Sequence, residues 1–93
     1  MTRPLIKSSA FARTAKQMSK KNKSLATDIL ATLETLSENA FHPSLKTHKL
    51  KGNLEGSWAC SVAHDVRLIF EFIQHDGKEA ILLAAIGSYH EVY

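Results

Sequence analysis

Residues 58–86 read WACSVAHDVRLIFEFIQHDGKEAILLAAI, and this stretch decides the fold. Trp58, Cys60 and Val62 alternate with Ala59, Ser61 and Ala63, which is the period-two pattern of a strand with one buried face. After a turn at His64-Asp65, the run from Val66 to Ile73 is rich in the β-branched and aromatic residues that fit a pleated surface. Asp76-Gly77 is a strong hairpin signal, and Glu79 to Ile86 is apolar on both faces, as a central strand is. Short turns between these runs make their pairing antiparallel.

Upstream the pattern changes period. Leu5 and Ile6, after Pro4, form a short opening strand, and Ser8 and Ser9 offer an N-cap to a helix that buries Phe11, Ala15 and Met18. The polar run Ser19 to Lys23 reads as a turn. A second helix follows with Leu25, Ile29, Leu33 and Leu36 on one stripe, and Asn39 and Pro43 end it. Helices followed by strands joined through short turns imply an α+β fold, here a helical hairpin packed on an antiparallel sheet of about four strands. The 93 residues, 44% hydrophobic and 23% charged, fit one domain spanning 1–93 with one thin core.

Composition narrows the function classes. The longest apolar run, Ala80 to Ile86, falls far short of the roughly 20 residues that a membrane-spanning helix needs, so no membrane role is expected. One cysteine, Cys60, forms no internal disulfide, and no signal pattern precedes residue 10; the cytoplasm is the expected compartment. Residues 1–51 carry ten Lys and Arg against three acidic residues, while residues 52–93 carry two against six. The basic half is a candidate surface for a polyanion, although solvated helix faces give the same count.

Five histidines, His42, His48, His64, His75 and His90, invite a metal reading. None pairs at helical metal-site spacing and there is no Cys-x-x-Cys knuckle, so neither metal nor cofactor is expected. Gly52 and Gly56 precede a strand and lack a Gly-Lys-Ser/Thr ending; they read as a turn. Cys60, in a strand beside Trp58 and Val62, reads as an inert small hydrophobe. What remains is His48-Lys49-Leu50-Lys51, His64-Asp65-Val66-Arg67, and Ser88-Tyr89-His90 with Tyr93. If their strands are neighbours, a base, an acid and cations gather at one side of the sheet. Those are the parts needed to drive a ribose 2′-hydroxyl onto its neighbouring phosphate.

The segments Leu50 to Trp58, Asp65-Val66-Arg67-Leu68-Ile69-Phe70 and Ile86-Gly87-Ser88-Tyr89-His90-Glu91-Val92-Tyr93 together resemble the RelE/ParE toxin superfamily of bacterial toxin–antitoxin modules. The likeness is greatest to the ribosome-dependent mRNA interferase branch that includes YafQ, YoeB and RelE. The resemblance implies a metal-independent endoribonuclease that cleaves mRNA on the ribosome, inhibits translation and is bound by a cognate antitoxin in a hetero-oligomer. It implies His48 as general base, Asp65 as an acidic site residue and Arg67 as the phosphate contact. It also implies Lys49 and Lys51 as cations at the RNA, with Tyr93 stacking on a base. Asp65 has the alternative of only shaping its turn, and Arg67 that of only pairing with a carboxylate. Ser61 stands where YafQ-like toxins carry a second histidine. A Gly-Ser-His ending is interrupted here by Tyr89, which leaves the general acid between His90, preferred, and Tyr89. The alternatives are a ParE-like, non-catalytic inhibitor of DNA gyrase and a degenerate module that only binds its antitoxin.

Overall fold

Ser8 starts the first helix by a double use of its hydroxyl: Oγ accepts the Phe11 N–H at 3.0 Å and donates to the Ala84 carbonyl at 2.9 Å. The computed structural model describes residues 2–92. In order these form β1 (Leu5–Lys7), α1 (Ser9–Lys21), α2 (Lys23–Glu38), β2 (His48–Lys49), β3 (Trp58–Ala63), β4 (Val66–His75), β5 (Lys78–Ser88) and the single-turn helix α3 (Tyr89–Val92). Short 3-10 turns at Pro43–Leu45 and Gly52–Leu54 flank β2.

The polar run expected as a turn contracts to one residue. Asn22 is extended at φ −147°, its N–H closes α1 on the Met18 carbonyl at 3.1 Å, and its side chain accepts the Leu25 N–H at 3.1 Å. One asparagine is therefore the C-cap of α1 and the N-cap of α2, so Ser19 to Lys21 and Lys23 join the helices.

The sheet has five strands in the order β1-β5-β4-β3-β2. Four are the expected ones, and β2 is added at one edge, where His48 opposes Ala59 and Lys49 opposes Trp58. The β2–β3–β4–β5 run is antiparallel, while β1 pairs parallel with β5, Leu5 opposite Ile81. Parallel pairing follows from the connection: the whole helical hairpin and three further strands separate β1 from β5. The Asp76-Gly77 turn has φ of 52° and 74°, both positive as a two-residue hairpin of this twist demands.

Both helices bury their apolar stripes on one face of the sheet. Phe11 from α1 and Ile29 and Leu36 from α2 join Cys60, Leu68, Phe70, Ile81, Leu83 and Ile86 in one core, with Ala15, Met18, Leu25 and Leu33 against it. The expected helical and strand stripes are thus the observed core. The register shifts once in the long hairpin, Ile69 opposing Ala85 but Phe70 opposing Leu83, so Ala84 is a bulge residue. Its carbonyl is the one Ser8 Oγ reaches. Among the described residues no helix is long and apolar enough to cross a membrane.

Ser8→Ala removes a helix cap and leaves the bulge carbonyl without that donor. Stability is expected to fall by about 1–2 kcal/mol, read as a lower urea midpoint at unchanged slope.

Candidate active site

The face of the sheet turned away from the helices carries two rows of paired residues. Ser61 opposes Arg67, which opposes Gly87; one step along, His48 opposes Ala59, which opposes Ile69, which opposes Ala85. The short side chains in these rows leave room for the two long ones. His48, Ser61 and Arg67 line a cavity of about 390 Å³ together with Lys46, Leu50 and Tyr89.

His48 is oriented by the backbone. Its Nδ1 lies 2.9 Å from the Lys46 carbonyl. A carbonyl only accepts, so Nδ1 carries the proton and Nε2 is the basic nitrogen of the neutral ring. Lys46 can present that carbonyl because it sits in the left-handed region, φ 54°, as the residue closing the Pro43–Leu45 turn.

Arg67 is oriented the same way. Nη1 donates to the carbonyls of Ala63 (3.0 Å), His64 (3.3 Å) and Val66 (3.2 Å), wrapping the β3–β4 turn. Among the described residues no carboxylate pairs with it, and Nε and Nη2 make no hydrogen bond. The guanidinium is thus anchored at one corner and presents the remaining donors, the fork that suits a phosphate.

Tyr89 opens α3, and its N–H donates to the Asp65 carbonyl at 3.1 Å. The chain has left the sheet at this point, so strand alternation no longer separates Tyr89 from His90. The Tyr89 ring lines the cavity and is 49% exposed, whereas His90, edge-on to it at 5.8 Å, is outside the lining. Asp65 is exposed in its turn and contributes a backbone carbonyl; among the described residues its carboxylate makes no bond. Lys49 and Lys51 line a separate cavity that shares Leu50 with the first. Tyr93 lies outside the described residues.

The structure therefore brings His48, Arg67 and Tyr89 together and leaves Asp65, His90, Lys49 and Lys51 outside that cavity. Lys46 and Leu50 were not singled out by sequence. The available signal for Lys46 was its place two residues before His48, the reach of a carbonyl-to-imidazole bond. Among the described residues no group of three or more His, Cys, Asp or Glu gathers as a metal ion requires.

Residues 3–93 match the family described as bacterial toxin of type II toxin–antitoxin system, YafQ. No curated protein matches the chain. Solved structures share the fold: a YoeB/ParE toxin from Agrobacterium tumefaciens is 12% identical with a TM-score of 0.79, covering 92% of this chain and 98% of that one. YafQ in the E. coli DinJ–YafQ complex is 18% identical with a TM-score of 0.78, covering 98% of each chain. YoeB in the YoeB–YefM complex from Staphylococcus aureus is 25% identical with a TM-score of 0.73, covering 97% and 99%.

Cys60, behind Arg67 on the helix side of the sheet, takes no part in this chemistry. Burial pushes its thiol up to about 12, against a smaller lowering by the Arg67 charge. The unfolded thiol ionises near pH 8.5, so the neutral buried form contributes stability that is complete below that pH and is lost as pH rises towards 12. Two outcomes are expected: the native protein resists iodoacetamide at pH 8 but reacts once unfolded in urea, and a Cys60→Ala variant loses less stability than the parent between pH 8.5 and 11.

Proposed function

The chain belongs to the YafQ family of toxins of bacterial type II toxin–antitoxin systems, and from that premise we propose that it is an endoribonuclease that cuts mRNA on the translating ribosome. The observation that carries this reading is the convergence of His48, Arg67 and Tyr89 on one cavity. A ParE-like gyrase inhibitor or a module that only binds its antitoxin has no use for a backbone-oriented imidazole facing an anchored guanidinium.

His48 Nε2 takes the proton from the ribose 2′-hydroxyl as that oxygen bonds to the adjacent phosphorus. Negative charge grows on the non-bridging oxygens, where Arg67, with Lys46 on the same wall, stabilises it. The bond from phosphorus to the 5′-oxygen breaks, and the Tyr89 hydroxyl protonates the leaving oxygen. The products are a 2′,3′-cyclic phosphate and a 5′-hydroxyl; water returns the proton from His48 to Tyr89. The nucleophile belongs to the RNA, so the step needs no metal. Asp65 acts through its turn, whose carbonyl holds the start of α3 and with it Tyr89. Tyr93 is assigned to base stacking.

The cavity is small and shallow, so substrate must be presented, and the ribosome does this with an ordered codon; the protein's place is the cytoplasm. A cognate antitoxin holds the toxin silent in a hetero-oligomer. Support comes from YafQ, solved in complex with DinJ, and YoeB, solved in complex with YefM.

A positioned base typically supplies about 10²–10⁴-fold and one lost oxyanion donor costs about 2.7–4 kcal/mol. Inducible expression without an antitoxin should arrest growth, and mapping mRNA 5′ ends should show cleavage that His48→Ala and Arg67→Ala each remove with the fold intact by circular dichroism. Tyr89→Phe should lower cleavage far more than His90→Ala; the opposite order gives the proton to His90. Rapid cutting of naked RNA would contradict the ribosome's role.

A further inference from the structure

Beside the catalytic cavity lies a larger one of about 560 Å³, lined by Lys49, Leu50, Lys51, Glu55, Trp58 and the loop between them. The loop is a closed unit. The Leu50 N–H donates to the Ser57 carbonyl (3.0 Å), Glu55 to Gly52 (3.1 Å) and Ser57 to Leu54 (3.0 Å), and the turns at Gly52 and Gly56 take φ of 67° and 94°. Backbone groups satisfied internally leave the cavity's chemistry to its side chains.

Lys49 Nζ stands 5.4 Å from the centroid of the Trp58 ring, which is half-buried and braced edge-on by Phe41 and Phe72, each 5.4 Å away. Among the described residues neither Lys49, Lys51 nor Glu55 makes an ion pair, although cations and carboxylate line one cavity. Flat indole, two cations for a phosphate and one acceptor form the set that holds a nucleotide of a single strand. Leu50 is common to this cavity and the catalytic one, so the two adjoin at the sheet edge although His48 and Lys49 point to opposite faces.

We infer that this cavity is a subsite for the mRNA nucleotide adjoining the scissile phosphate, and that Glu55 selects its base. The inference rests on the function proposed above and adds a specificity determinant to it. A carboxylate accepts and does not donate. Adenine and cytosine offer it an exocyclic amine, whereas the one donor on the pairing edge of uracil, N3–H, is flanked by two carbonyl oxygens that the charge repels. Lys49 leaves the Trp58 ring to take the phosphate with Lys51, and the base packs on the indole in its place whatever its identity. Glu55 is thus the residue that excludes uridine.

Trp58 is the only tryptophan in the chain, so its emission reports this cavity alone. The purified protein is titrated with uncleavable 2′-O-methyl tetranucleotides of A, C or U. The A and C oligomers are expected to quench at concentrations about five- to tenfold lower than U, the worth of one hydrogen bond. In Glu55→Gln, whose amide both donates and accepts, the difference should collapse; in Lys51→Met all three should weaken together and lose salt dependence. Equal quenching by U, or a preference unchanged in Glu55→Gln, overturns the inference. Stronger quenching by a poly-glutamate peptide makes the cavity a protein-docking site, AMP alone matching the A oligomer makes it a free-nucleotide site, and either result overturns the inference. The titration requires no cleavage. Quenching without ribosome-dependent cutting defeats the proposed function and leaves the subsite standing, while cutting without quenching defeats only the subsite.

Discussion

The register of β3, β4 and β5 is the constraint on which the site depends. Ser61, Arg67 and Gly87 lie abreast across three strands. Slipping β4 by one residue would exchange its two faces, putting Arg67 into the helix-side core and Leu68 into the open. The Asp76-Gly77 turn fixes one hairpin and the His64-Asp65 turn the other, and the cost of burying a guanidinium among Phe70 and Leu83 enforces both. Core packing on one face thus aims the candidate site side chains, His48 and Arg67, on the other.

The two faces are built to opposite specifications. The helix side is filled by large residues, Phe11, Leu36, Leu68, Phe70, Ile81 and Leu83, all fully buried. On the open side Ala59, Ala85, Gly87 and Ser61 stand around His48 and Arg67. Small residues there, of which Ala59 and Gly87 are buried, keep the long side chains from being crowded and leave space above them. The orientation that packing does not supply comes from carbonyls at chain turns: Lys46 for His48, and Ala63, His64 and Val66 for Arg67.

What was legible in the sequence is what repeats. The stripes Phe11-Ala15-Met18 and Leu25-Ile29-Leu33-Leu36 and the alternation from Trp58 to Ala63 each report a face against a common core, and all reappear in it. What was not legible depends on single residues or on backbone. β2 has two polar, exposed residues, so its strand character comes from pairing with β3 and leaves no pattern of its own. Asn22 reads as part of a polar turn because nothing in composition shows that one side chain caps a helix while its own N–H closes another. Which of Tyr89 and His90 lines the cavity depends on where β5 ends, and element ends are set by local hydrogen bonds such as that from Tyr89 N–H to Asp65.

A two-residue edge strand is a weak element, yet β2 separates two cavities of different chemistry. Alternation sends His48 and Lys49 to opposite sides of the sheet, so neighbouring residues serve neighbouring cavities without competing for space. The strand is held at both ends by bonds outside the ladder: the Lys46 carbonyl fixes His48, and the Leu50 N–H is tied to Ser57. Leu50 then forms a wall common to both cavities. The edge of the sheet is therefore where the two cavities adjoin, with the imidazole on one face and the Lys49 ammonium on the other.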